Sequence, residues 1–249
     1  IYIMPKTLKV RDKSDKYTVK MPNNLFNLPT RVILSGSSGS GKTNFLCNIF
    51  LNNEFGYNKI FEPEDIYIFS PTPYEDQKLK CIIENYSKGE IPEENVFDEL
   101  DDELVLELYE GLVEEYNDAI ENKEKPTHKA ILIDDFGFQG LMSKNRFNSL
   151  VKLMANSRKF LISLFILNQS YTMATANIRR NASGFIIFNT SNSELEQIEK
   201  ENNYLSSKKE FMELFRNNVL ERHDALIINY SNKLKDLYLD KNFESLSKK

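Results

Sequence analysis

The chain has 249 residues, 41% of them apolar, with 32 basic and 37 acidic residues for a net charge of −5. That apolar content suits one large domain or two small ones and excludes wholesale disorder. No apolar run approaches the ~18 residues of a spanning helix, and Cys47 and Cys81 with only His128 and His223 make neither a disulfide scaffold nor a zinc site. Ile1-Tyr2-Ile3-Met4 lacks the basic start and long apolar core of a signal peptide. The chain therefore reads as intracellular and reduced, with no membrane span, and the absent initiator Met leaves room for residues upstream.

Residues 1–30 are expected to form short strands around the polar turn Asp12-Lys13-Ser14-Asp15. Val32-Ile33-Leu34 then reads as a buried strand, and Phe45, Leu46, Ile49 and Phe50 follow at helical spacing to about Asn52. Between them runs G-x-x-x-x-G-K-T, with Gly36, Gly41, Lys42 and Thr43 at the defining positions. A strand feeding a glycine-rich turn into a helix gathers backbone N–H groups around one point, and the helix dipole adds to their preference for phosphate. Candidate nucleotide-binding residues are Gly36, Ser37, Ser38, Gly39, Ser40, Gly41, Lys42, Thr43 and Asn44. Lys42 is placed to reach the β- and γ-phosphates of ATP, and the Thr43 hydroxyl to ligate Mg²⁺. Asp65–Ser70 predicts a second strand, ended by Pro71-Thr72-Pro73.

Glu93 to Asp118 holds 12 acidic residues and no basic one; outside it the chain has 32 basic and 25 acidic residues. Interleaved Leu100, Leu104, Leu106, Leu108, Leu112 and Val113 predict a helix there, an acidic insertion over about 93–124. Lys129–Asp135 is a third strand, apolar on both faces and so central in a parallel sheet. It ends in the Walker B pattern Asp134-Asp135: Asp134 on the metal side, Asp135 to orient or deprotonate the attacking water. Phe147, Leu150, Val151 and Met154 mark one face of a helix. Phe160–Asn168 is a fourth strand, and Gln169 beyond it is placed to sense phosphate or water.

Arg179 and Arg180 fall in a polar loop before a fifth strand, Gly184–Phe188. They suit an arginine finger acting on a neighbouring subunit, a grip on DNA phosphates, or a solvated turn. Arg158, at a helix end, competes for the finger role or complements the helix dipole. No Asp or Glu occurs from Phe136 to Ser193, a window that includes Lys144, Arg146 and Lys152. In a ring these three are candidates to line a basic pore for double-stranded DNA; alternatively they form a solvated helix face. The acidic block, repelled by DNA, is expected to face outward or dock a basic partner. Asp224–Tyr230 and Leu234–Leu239 predict a terminal hairpin. Strands alternating with helices give an α/β fold around a mainly parallel sheet. Guanine recognition by N-K-x-D is missing, as Asn232-Lys233-Leu234-Lys235 lacks the Asp, and no arginine-rich kinase lid is evident.

Leu28–Asn44, Asp65–Pro73, Ile133–Asp135, Asn156–Arg158, Leu167–Gln169 and Ile178–Asn181 together carry a resemblance. The chain resembles the genome-packaging ATPases of large DNA viruses and virophages, the poxvirus-type branch of the FtsK–HerA P-loop superfamily, over about residues 25–192. The resemblance implies a RecA-like, ASCE-type P-loop NTPase. The chain would be one domain over 1–249, with its core at about 25–192 and a C-terminal extension from about 205. It implies ATP and Mg²⁺ as cofactors, with Lys42 and Thr43 on nucleotide and metal, Asp134 on Mg²⁺, Asp135 as catalytic carboxylate and Gln169 as sensor. Many superfamily members carry Glu where Asp135 stands. The implied function is ATP-driven movement of double-stranded DNA into a capsid by a ring oligomer, with a capsid or portal-type protein as a further partner. The implied location is the host cytoplasm or virus factory, and the virion. Alternatives are a P-loop ATPase that loads or remodels protein partners through its acidic block, and a nucleotide-dependent assembly switch with little turnover.

Overall fold

Every residue of the strands β4 (Lys129–Asp134) and β5 (Ile162–Asn168) is buried, as expected of central strands covered on both faces. The computed structural model describes residues 12–135 and 148–246. The other strands are β1 (Arg31–Ser35), β2 (Ile66–Phe69), β3 (Val96–Phe97), β6 (Gly184–Phe188), β7 (Ala225–Asn229) and β8 (Tyr238–Leu239). They form one 8-stranded sheet in the order β3-β2-β4-β5-β1-β6-β7-β8. Pairing is parallel from β3 through β6, and antiparallel for β6–β7 and β7–β8. β5 thus lies between the strand leading into the glycine-rich loop and the strand ending in Asp134. The register pairs Ser35 with Asn168 and Asp134 with Leu167, so β1, β5 and β4 end level at one edge.

Alternation along each strand divides the core between two faces. Val32, Leu34, Leu132, Phe165 and Leu167 pack against Leu46, Ile49 and Phe50 of α1 (Lys42–Leu51) and Leu79, Ile82 and Ile83 of α2 (Gln77–Glu84). On the other face Ile33, Ile131, Ile133, Leu164 and Ile166 meet α3 (Asp102–Glu121), α4 (Asn148–Asn156), α6 (Asn192–Asn202) and α7 (Lys208–Asn218). The acidic stretch is helical from Asp102 onward, where α3 buries Val105, Tyr109, Leu112 and Tyr116 and turns its carboxylates outward; before it, Glu93–Asn95 is a 3₁₀ turn and Val96–Phe97 is strand β3, so the helix is shorter than expected. Asp102 accepts a hydrogen bond from the Ser149 backbone N–H at 2.9 Å, joining the start of α3 to that of α4. Lys129 Nζ, at the opposite edge from the strand ends just described, pairs with Asp65 at 2.6 Å and with Glu115 of α3.

Three local expectations need correction. Residues 13–17 form a 3₁₀ turn, and the described part of the N-terminal segment makes only one β-bridge, Val19 to Leu28. Asp12 and Asp15 hydrogen-bond the turn's own backbone, which favours the turn over a ladder. The second strand of the terminal hairpin is only Tyr238–Leu239, because Leu234–Asp236 winds into a 3₁₀ turn. Arg179 and Arg180 end a short helix, α5 (Ala176–Arg180), rather than a loop; the Thr175 side chain caps it by accepting from the Ile178 N–H.

Candidate active site

The glycine-rich loop bridges the end of β1 and the start of α1. A Cβ on Gly36 would sit 2.6 Å from Phe188 Cβ and 2.8 Å from Ser40 Oγ, so the first glycine is required by close approach to the end of β6. Gly41 has φ +111°, a conformation only glycine adopts freely, and it turns the chain into α1. Asp76, Asp101, Thr175, Ser191 and Ser207 cap α2, α3, α5, α6 and α7 with side-chain oxygens. The N-terminus of α1 has no side-chain cap and no acidic residue in its first turn. Its N–H groups and positive dipole end are left for an anion.

Lys42 Nζ donates to the carbonyls of Gly36 at 2.6 Å and Ser37 at 3.1 Å, on the rim of the same loop. Burial pulls its pKa down, against the opposing attraction of Asp134 and Asp135. Asp134, 7% exposed, ends β4 within reach of that field. Burial first, then repulsion from Asp135 and Asp76, pushes its carboxyl up to about 7 in spite of Lys42. A divalent cation would relieve that repulsion. Asp135, the next residue, sits in the left-handed region at φ +55°, a costly setting for a residue other than glycine. Gln169 Nε2 donates to both of its oxygens, at 2.8 and 3.0 Å. Asp135 and Gln169, 34 residues apart, are therefore brought into direct contact.

The surroundings fit a magnesium nucleotide. Ser35 Oγ, Ser40 Oγ and both polar atoms of the Asn168 side chain are buried without a protein partner beside this loop. Buried polar atoms normally find partners, and phosphate oxygens, metal-bound water or solvent would serve. No cluster of three or more His, Cys, Asp or Glu side chains suited to a metal occurs among the described residues. Mg²⁺ typically uses one or two protein ligands and completes its shell with phosphate and water; Thr43 and Asp134 are the candidates.

The arginines lie elsewhere. Arg179 Nε and Nη2 donate to Glu201 at 2.8 and 2.7 Å, its Nη1 donates to the Ala174 carbonyl, and its guanidinium lies 4.9 Å from the centre of the Tyr171 ring. Arg180 is exposed. Arg158 is exposed in the 3₁₀ turn Ser157–Phe160 before β5, at the edge opposite the loop. Among the described residues no hydrogen bond or ion pair joins any of the three to Gly36–Thr43. Lys144 and Arg146 lie outside the described residues. Lys152, a candidate for a basic pore or for a solvated helix face, is exposed on α4, where it pairs with Glu110 at 3.2 Å and lies 5.2 Å from the centre of the Tyr109 ring, α3 packing alongside α4.

Sequence reasoning missed residues that converge here from far along the chain. Arg222 Nε donates to the Gly39 carbonyl and His223 Nδ1 to the Ser40 carbonyl, each at 3.1 Å across 183 residues. Asp76 caps α2 and adds to the field at Asp134. Phe188 packs on the loop. Only Phe188, ending an apolar run, had a local signal.

A parallel sheet with one strand inserted between loop strand and acidic strand, plus this loop, defines a RecA-like P-loop NTPase. Residues 19–236 match the Poxvirus A32 protein family, and the chain belongs to that family. Among its relatives, DNA packaging protein OPG160 of Variola virus is 27% identical over 175 residues, 70% of this chain and 58% of that protein. The corresponding protein of Vaccinia virus (strain Copenhagen) gives the same identity and coverage. The match thus spans less than two thirds of these relatives' length. The genome packaging NTPase B204 from Sulfolobus turreted icosahedral virus 2, in complex with AMP, shares the fold at TM-score 0.55 and 17% identity, covering 81% of this chain and 93% of that one. The pCW3 conjugation coupling protein TcpA does so at TM-score 0.54 and 17% identity, covering 88% and 61%.

Proposed function

We propose that this protein is an ATP-hydrolysing motor that moves double-stranded DNA into a capsid. The observation that carries the reading is the convergence of Lys42, Asp134 and the Asp135–Gln169 pair where β1, β4 and β5 end. The names of the family's DNA-packaging members and the fold shared with a genome-packaging NTPase support it.

In this reading the loop N–H groups and Lys42 hold the triphosphate, with the Thr43 hydroxyl and Asp134 holding Mg²⁺. The metal supplies charge neutralisation at the phosphate oxygens. Asp135 orients the attacking water and accepts its proton, and Gln169 fixes the carboxylate in position for that step. Asp is one methylene shorter than the Glu of many superfamily members, so its placement depends more on this tether. Charge developing on the transferred phosphoryl calls for an arginine from a neighbouring subunit of a ring. Arg180 is the best candidate, since Arg179 is engaged by Glu201; Arg158 is the alternative. Lys144, Arg146 and Lys152 are the candidates for the DNA-facing pore.

Lys42→Ala tests the site. The wild-type chain should hydrolyse ATP in Mg²⁺, and the variant should lose about 100-fold or more of that turnover with an unchanged melting temperature. Equal turnover in the two proteins would contradict the assignment. A second reading, an ATPase that loads or remodels protein partners, is favoured by the exposed Glu103, Glu107, Glu114 and Asp118 on α3. A basic protein partner that stimulates turnover where DNA does not would select it.

A further inference from the structure

The turn between α7 and β7 lies against the glycine-rich loop, yet the chemistry above gives it no part. Asp224 builds this turn. Its Oδ2 accepts the backbone N–H groups of Leu220 at 3.2 Å and Glu221 at 2.8 Å, and its Oδ1 accepts from Lys241 Nζ at 2.8 Å. The Asp224 N–H closes back on the Glu221 carbonyl at 3.1 Å. Held in this way, Arg222 and His223 reach two successive carbonyls of the loop, those of Gly39 and Ser40, at 3.1 Å each. A carbonyl only accepts, so His223 carries its proton on Nδ1. The fit is close: a Cβ on Gly39 would lie 2.4 Å from Arg222 Nη2, and one on Gly41 would lie 3.2 Å from His223 Nδ1.

In a trans peptide the C=O and the following N–H point in opposite directions. Fixing the Gly39 carbonyl therefore fixes the Ser40 N–H, which donates to the Ser37 carbonyl at 3.1 Å and closes the loop's inner turn. Fixing the Ser40 carbonyl from outside turns the Gly41 N–H to the opposite, inner side. A loop set before its ligand arrives loses less conformational entropy on binding.

We propose that Leu220–Asp224 is a strap that presets the glycine-rich loop, with Arg222 and His223 as positioning residues that raise affinity for nucleotide from outside the phosphate cradle. The inference rests on reading Gly36–Thr43 as the nucleotide site.

The test is titration of a fluorescent ATP analogue with Mg²⁺, alongside amide hydrogen exchange of the nucleotide-free protein. Arg222→Met and His223→Phe should each weaken binding about tenfold, the scale of one lost hydrogen bond, and the double variant further. Exchange at Ser40 and Gly41 should speed up before any nucleotide is added. Arg222→Gln sets an amide nitrogen where Nε stands, and should hold affinity within about threefold of wild type. Both positions are exposed, so the variants should fold. Unchanged affinity and unchanged exchange in the double variant would overturn the strap. A wild-type chain that binds the analogue no better than Lys42→Ala would instead overturn the nucleotide-site reading, and the strap with it.

Discussion

Gln169 has one amide nitrogen on both oxygens of Asp135, and Asp135 has a strained backbone at φ +55°. Tether and strain together fix a single carboxylate direction. Gln169→Ala should therefore lower kcat by about 10- to 100-fold with little change in nucleotide affinity, and Asp135→Asn should cost more, within the 10²–10⁴ range of a lost general base. Steady-state kinetics beside a direct binding titration separates the two effects. A Gln169→Ala variant that loses affinity but keeps kcat would make Gln169 a phosphate sensor instead. Both residues were legible as polar ends of apolar strands. Their contact was not, because it depends on β4 and β5 being neighbours, which strand order alone decides. Arg222 and His223 were illegible for the same reason on a larger scale: 183 residues separate them from their partners, and a charged pair before a strand is common in any fold.

Among the elements, α5 and α6 are tied by the Arg179–Glu201 pair, which holds the Arg179 guanidinium in this conformation. Burial alone would raise the Glu201 carboxyl; hydrogen bonds from Arg179, Tyr171 and Gln197 overcome it and hold the pKa at about 2. A folded-state pKa below the unfolded one stabilises the protein above the ordinary carboxylate range, near pH 4.5, and that stability is lost as pH falls toward 2. Discounted for partial exposure, the contribution is about 2 kcal/mol. Wild type should melt above Glu201→Gln at pH 6, and the gap should close as pH falls from 5 to 2. A gap that stays constant would place the effect in packing rather than charge. Strands with continuous apolar runs and helices with long apolar stripes were readable because burial imposes a period on them. β3 and α5 were not, since neither carries an apolar run or stripe long enough to show one; α2, α6 and α7 also went unread, and of the terminal hairpin only the extent of its second strand was misjudged.

For the whole molecule, the net charge of −5 conceals a division, and the fold redistributes it. The acidic helix α3 pairs Glu110 with Lys152 and Glu115 with Lys129, so part of the basic charge is neutralised within the chain. The sequence showed two charge blocks; it did not show that one lies against the other, since that follows from the packing of α3 on α4. In the proposed motor, DNA contact would fall to Lys144, Arg146, Lys152 and the exposed arginines, brought together from several subunits. No described helix is long and apolar enough to cross a membrane. The central claim, that turnover serves DNA movement, is tested most directly by the ATPase rate with and without double-stranded DNA, across a salt series and at protein concentrations where mass measurement shows assembly. The account predicts that DNA raises turnover, and that the concentration needed climbs by about tenfold or more between 50 and 200 mM salt as phosphate contacts are screened. Turnover that is abolished by Lys42→Ala yet indifferent to double-stranded DNA under every assembly condition would contradict it.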